Sequence, residues 1–138
     1  MDSNHVKGPG FHHLMMRVTE FDKVVKFYNE IGLKTAYTMG EGEGRGVLLD
    51  TGEGNYIEIF AGGTRAPGED PPEGAVIHFA LRVPNTDEAY NKALAAGAIS
   101  EKEPIDVTLQ GNPPVPVRIA FCKGFNGEII EFFQNETL

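Results

Sequence analysis

Residues 11–18 form a short, largely apolar run that ends in the β-branched Val18, which predicts a strand whose side chains point alternately to two faces. His13, Met15 and Arg17 fall on one face of it, and Leu14, Met16 and Val18 on the other. The period then lengthens. Phe21, Val24, Val25, Tyr28 and Ile31 recur at helical spacing, with Thr19 as the expected N-cap, Asp22 in a capping-box variant and Gly32 as the stop. Runs at 33–39, 46–50 and 55–60 read as strands, and the glycine-rich 40–46 as a turn between two of them. The order is β-α-β-β-β.

Residues 61–74 are rich in Gly and Pro and have no periodicity, so they read as a linker. Beyond it the pattern starts again. A strand over 75–83 sets His78, Ala80 and Arg82 against Phe79, Leu81 and Val83. Asn85 or Thr86 is the expected cap of a helix through Ala89, Tyr90, Ala93 and Leu94, which stops at Gly97. Strands follow near 99–103, 115–122 and 128–134. One constant offset relates His13 to His78, Arg17 to Arg82, Asp22 to Asp87 and Gly32 to Gly97. The second copy is the longer, and its extra residues fall at 104–116, a proline-bearing stretch expected to be a surface loop or a lid.

The fold class is therefore α+β: two tandem βαβββ modules, about 11–60 and 75–134, in one domain. Each sheet is expected to carry a helix on one face and to meet the other sheet through its opposite face.

The 138 residues suffice for one domain with an ordinary core, and 41% hydrophobic and 23% charged residues are usual for a globular protein. A formal charge of −8 argues against nucleic acid and against anionic lipid as partners. The single cysteine, Cys122, lies in an apolar run and is expected to be free and buried. Lacking a disulfide partner or an apolar leader, the chain suits the cytoplasm.

Glu58 and Glu131 stand in the middle of apolar strands, Tyr-Ile-Glu-Ile-Phe and Ile-Ile-Glu-Phe-Phe. A buried carboxylate needs a cation or several donors to offset its desolvation. Each glutamate shares a face with its own module's histidine, His13 or His78, if the strands pair as expected. Phe60, Ile129 and Phe133 line the same faces. Two readings satisfy these groups. One is an ion-pair network with Arg17 and Arg82. The other is a metal site, favoured because neutral imidazoles add little to ion pairs. Two imidazoles and two carboxylates suit divalent Ni, Co, Mn, Fe or Zn. Such an ion, with open positions, polarises a carbonyl and stabilises an enediolate, while a glutamate moves a carbon-bound proton.

In this order the motifs His13-x-x-x-Arg17-Val18, Phe27-Tyr28, Tyr56-Ile-Glu58-Ile, His78-x-Ala-Leu-Arg-Val and Asn126-Gly127-x-Ile-Ile-Glu131 resemble the vicinal oxygen chelate superfamily, the glyoxalase/bleomycin resistance/dioxygenase group. The resemblance spans about 11–134. It implies paired modules forming a cupped mixed sheet around a divalent metal. In the branch similar to glyoxalase I the ligands map onto His13, Glu58, His78 and Glu131, with Glu131 or Glu58 as the proton-transfer base. Arg17, Arg82, Met15, Phe60 and Phe133 are the expected substrate contacts. The resemblance also implies a homodimer, and the site then either stays within one chain or joins His13 and Glu58 of one copy to His78 and Glu131 of another.

Glutathione is not supported as the substrate's carrier, because Phe60 is followed by Ala-Gly-Gly rather than the family's asparagine and 104–116 carries no basic residue. The expected activity is that of a metal-dependent lyase or isomerase acting on a small α-oxygenated carbonyl compound. An iron-dependent extradiol-type dioxygenase and a non-catalytic drug-binding resistance protein are the alternatives. His12 is expected to point away from His13 and to be structural or on the surface.

Overall fold

The computed structural model describes residues 11–64, 76–110 and 113–136. Most of the expected linker lies outside them. The element order is β1 (His13–Arg17), α1 (Phe21–Glu30), β2 (Lys34–Met39), β3 (Gly46–Asp50), β4 (Tyr56–Phe60), β5 (His78–Arg82), α2 (Thr86–Ala95), β6 (Ile99–Leu109), β7 (Val115–Lys123) and β8 (Ile129–Gln134). A single turn of 3-10 helix, Gly42–Gly44, fills the glycine-rich turn. The strands form two four-stranded mixed sheets, in the orders β1-β4-β3-β2 and β5-β8-β7-β6. Each opens with a parallel pair, β1 on β4 and β5 on β8, and continues antiparallel. The duplicated sequence has become a duplicated topology.

The two sheets do not meet as expected. Leu14, Met16, Val47, Leu49, Ile57 and Ile59 cover one side of the first sheet, and Cys122, Ile130 and Phe132 belong to the matching side of the second. Both sides join a single core with Val24, Phe27 and Tyr28 of α1 and Tyr90 and Ala93 of α2. The modules are thus joined through their helix-bearing sides, because that is where unbroken apolar surface is available to bury. The faces that carry His13 and His78 are left outside.

Polar contacts fasten the junction. The buried Tyr28 hydroxyl donates to Glu128 Oε1 at 3.0 Å, and Glu128 Oε2 accepts from the Asn126 N–H, also at 3.0 Å. Thr19 is not a helix cap: its N–H and hydroxyl both donate to Asn126 Oδ1 across the two modules, and α1 starts with no side-chain cap. In α2 the expected cap forms, Asn85 Oδ1 accepting from the Glu88 N–H at 3.0 Å. Gly124 leaves the space that Glu128 fills, since a Cβ there would fall on its carboxylate. Burial, the main cause, raises both the Tyr28 and Glu128 pKa values, and Glu128 raises Tyr28 further. Burial also pushes the Cys122 thiol up to about 12, so this free cysteine is an inert core residue.

The stretch 104–116 differs from expectation too. Strand β6 runs through Pro104 to Leu109, and Pro116 lies within β7, paired with Thr108. Strand β6 is an edge, where a missing N–H costs nothing if it faces away from the ladder, and the register slips between Lys102 and Ile105. The expected lid is a long hairpin arm.

Tyr28→Phe is expected to cost about 1–3 kcal/mol by leaving a buried carboxylate short of a donor, read as a lower denaturant midpoint. The raised Glu128 pKa also sets a pH dependence. Its contribution to stability is fully present below the ordinary carboxylate range and is lost as pH rises through the raised value. Glu128→Gln should flatten that part of the stability–pH profile in urea titrations.

Candidate metal and substrate site

Parallel pairing of β1 with β4 puts His13 beside Tyr56, Met15 beside Glu58 and Arg17 beside Phe60, all on the outer face. Diagonal neighbours on that face bring His13 Nε2 to 3.5 Å from Glu58 Oε1. Phe60 lies flat over Gly46, where any Cβ would strike its ring, and the Arg17 guanidinium stands 5.8 Å above the ring centroid. Arg17 also donates to the Ala61 carbonyl at 3.1 Å, which takes one of the five N–H groups a guanidinium offers.

The second module repeats this with a tighter pair. Strand β5 on β8 sets Ala80 beside Glu131 and Arg82 beside Phe133, and His78 Nε2 lies 3.0 Å from Glu131 Oε2. The His78 ring packs edge-on against Phe121 of β7, centroids 5.5 Å apart. Glu131 is only 9% exposed. Burial raises its pKa, and the facing His78 partly offsets the rise. Arg82 pairs with Glu53 of the first module at 3.3 Å, a partner the strand pattern gave no reason to expect.

Each histidine therefore meets its own module's glutamate, as strand alternation predicts. The two pairs do not join within the chain: among the described residues no group of three or more His, Cys, Asp and Glu side chains is placed to hold an ion. The donor chemistry nevertheless fits a metal. Two ligand atoms each about 2.1 Å from one ion stand about 3.0 Å apart at right angles and about 3.4 Å apart in a tetrahedron. The observed separations are 3.0 and 3.5 Å.

Two contacts around the site run against expectation. His12 does not lie clear of His13. Their Nδ1 atoms are 2.9 Å apart, because His12 precedes β1, where strand alternation no longer fixes the direction of its side chain. The only hint in the sequence was the His-His doublet itself. The outer faces also expose apolar side chains: Met15 is 41% exposed, Tyr37 60% and Ile105 42%. Through the strand register Tyr37 lies on the face of Glu58 and Ile105 on that of Glu131.

Duplicated βαβββ modules, each offering a His–Glu pair on the sheet face opposite its helix, define a class of small-molecule-binding folds. The sequence profile of the Glyoxalase/Bleomycin resistance protein/Dioxygenase superfamily matches residues 10–112, and the chain belongs to that superfamily. Among solved structures it is similar to TioX from Micromonospora sp. ML1, with 17% identity and a TM-score of 0.68 over 92% of this chain and 99% of that one. It is similar to the fosfomycin resistance protein FosX from Listeria monocytogenes, with 17% identity and a TM-score of 0.65 over 93% and 94%. A glyoxalase I mutant from Zea mays is similar over 91% of this chain and 44% of that one, with 20% identity and a TM-score of 0.68. These likenesses establish the fold alone. No curated protein matches the chain in sequence.

His78 is the group that opposes the effect of burial on Glu131. His78→Ala should therefore raise the Glu131 pKa further, measured by carboxyl-carbon NMR titration. An unchanged titration would mean that the two side chains do not face each other in solution.

Proposed function

We propose that two copies of the chain form a homodimer in which His13 and Glu58 of one copy meet His78 and Glu131 of the other around one divalent Ni, Co, Mn, Fe or Zn ion. We further propose that this site is a lyase or isomerase of glyoxalase I type, acting on a small α-oxygenated carbonyl compound through an enediolate. The carrying observation is the spacing of the two His–Glu pairs, each suited to two positions of one coordination sphere, on faces that a single chain leaves outside. Strands β1 and β5, which bear the histidines, are both sheet edges. A cleft of about 630 Å³ runs along β5, lined by consecutive residues from His78 to Val83 together with Phe11 and Val76. An open edge beside exposed apolar residues is suited to accept a strand from a second copy.

A bound cation would supply Lewis acidity toward the substrate oxygens. The chain supplies the rest. Burial raises the Glu131 pKa, which suits a carboxylate that accepts a proton, and Glu131 is assigned to move the carbon-bound proton. Glu58, on the more exposed face, is assigned as its counterpart. Met15, Phe60 and Phe133 form apolar walls. Arg17, held over Phe60, and Arg82, paired with Glu53, are the cations available to an anionic substituent. No described helix is long and apolar enough to cross a membrane, and the cytoplasm is the proposed location.

Subunit mixing tests the reading. His13→Ala and Glu131→Gln should each form folded dimers lacking bound metal and turnover of 2-oxoaldehyde adducts or α-hydroxy ketones. Mixed in equal amounts, denatured and refolded, they should recover about a quarter of the wild-type sites, since random pairing in a two-fold dimer gives half hybrids with one intact site each. No recovery from folded hybrids, or wild-type protein that takes up no divalent metal, would remove it.

A further inference from the structure

The two halves of the site differ in one respect that the repeat does not explain. His13 is preceded by His12, whereas His78 is preceded by Ile77. We infer that His12 is a positioning residue that holds His13 in the tautomer with its proton on Nδ1, leaving the Nε2 lone pair free to bind a cation.

The His12 ring is itself fixed. Its backbone carbonyl accepts from the Tyr56 N–H at 2.8 Å, and its ring packs on the Tyr56 ring with centroids 5.1 Å apart. It meets the His13 ring edge-on, with Nδ1 to Nδ1 at 2.9 Å. A nitrogen–nitrogen contact of that length holds one proton between a donor and an acceptor, so the tautomers of the two rings are coupled. Two assignments satisfy it. Either His13 donates from Nδ1 and His12 carries its own proton on Nε2, or His12 donates and His13 carries its proton on Nε2, aimed at Glu58. The Glu58 distance separates them. His13 Nε2 stands 3.5 Å from the carboxylate, beyond the range of about 2.7–3.2 Å for an N–H···O bond. His78, with no such neighbour, stands 3.0 Å from Glu131, within that range and suited to an Nε2–H donor. Each ring keeps one proton in either state, so moving between the two states releases none.

The inference deepens the proposed metal site but is measured without it. Imidazole nitrogen shifts of the metal-stripped full chain, labelled with 15N-histidine, at about pH 8, above the ordinary histidine range, report each tautomer directly. The expected pattern is His13 protonated on Nδ1, with His12 and His78 protonated on Nε2. His12→Phe keeps an aromatic ring for Tyr56 and removes the acceptor, so the His13 proton should shift to Nε2. His12→Asn places its side-chain oxygen where the His12 Nδ1 was and should restore the Nδ1–H form. Zinc affinity should fall about 10–100-fold in the phenylalanine variant and recover in the asparagine variant. Wild-type His13 protonated on Nε2 would overturn the inference even if a variant failed to fold, and so would an unchanged tautomer in His12→Phe. The expected tautomers in a wild-type protein that binds no zinc would support the His12 role and remove the metal reading instead.

Discussion

One core serves both sheets, and that constraint governs the rest of the molecule. The apolar sides of the two modules are spent on each other, around α1, α2 and the Tyr28–Glu128 contact. Burial of this kind is non-directional and proportional to area, so it fixes which sides meet without regard to the polar groups elsewhere. The Tyr28–Glu128 hydrogen bond across the junction then favours one orientation, since sliding would leave a buried hydroxyl and a largely buried carboxylate unpaired. What remains outside is the pair of faces bearing His13, Glu58, His78 and Glu131.

Duplication set those faces up alike, and their surroundings have since separated them. Glu131 is buried and raised by desolvation, while Glu58 lies against a more open face. His78 is braced by Phe121, whereas His13 is braced by His12 and Tyr56. Arg17 rests over a phenylalanine that a glycine beneath it admits, while Arg82 reaches back to the first module. One residue type, repeated by the duplication, thus stands in two unequal environments.

Much of this was legible in the sequence, and the exceptions have physical causes. The pattern of apolar residues located the described strands and the α-helices to within a few residues, except that β6 runs six residues beyond its expected end at 103. The same alternation put each histidine on the face of its glutamate. Contacts made by residues distant in sequence were not legible. Thr19 has the chemistry of a cap, yet Asn126 of the other module claims its hydrogen bonds. The prolines at 104–116 read as a loop because proline is poorly suited to a strand interior, and nothing local reveals that Pro104 falls on the edge strand β6 or that Pro116 lies at the end of β7, beyond its register with β8. Which sides of the sheets would meet was equally hidden, since both faces carry apolar residues and only the sum over the fold decides between them.

The turn at Gly124 carries a consequence for how such a sequence changes over time. No side chain fits at 124 while the Glu128 carboxylate occupies that space, and the Glu128 carboxylate is what Tyr28 and the Asn126 backbone bind. The three positions are therefore not free to drift independently. Shortening residue 128 first strips Tyr28 and the Asn126 N–H of their partner, and adding a side chain at 124 first displaces that same partner, so either order passes through a weakened junction. Each of the three positions is held in place by the other two, whichever changes first.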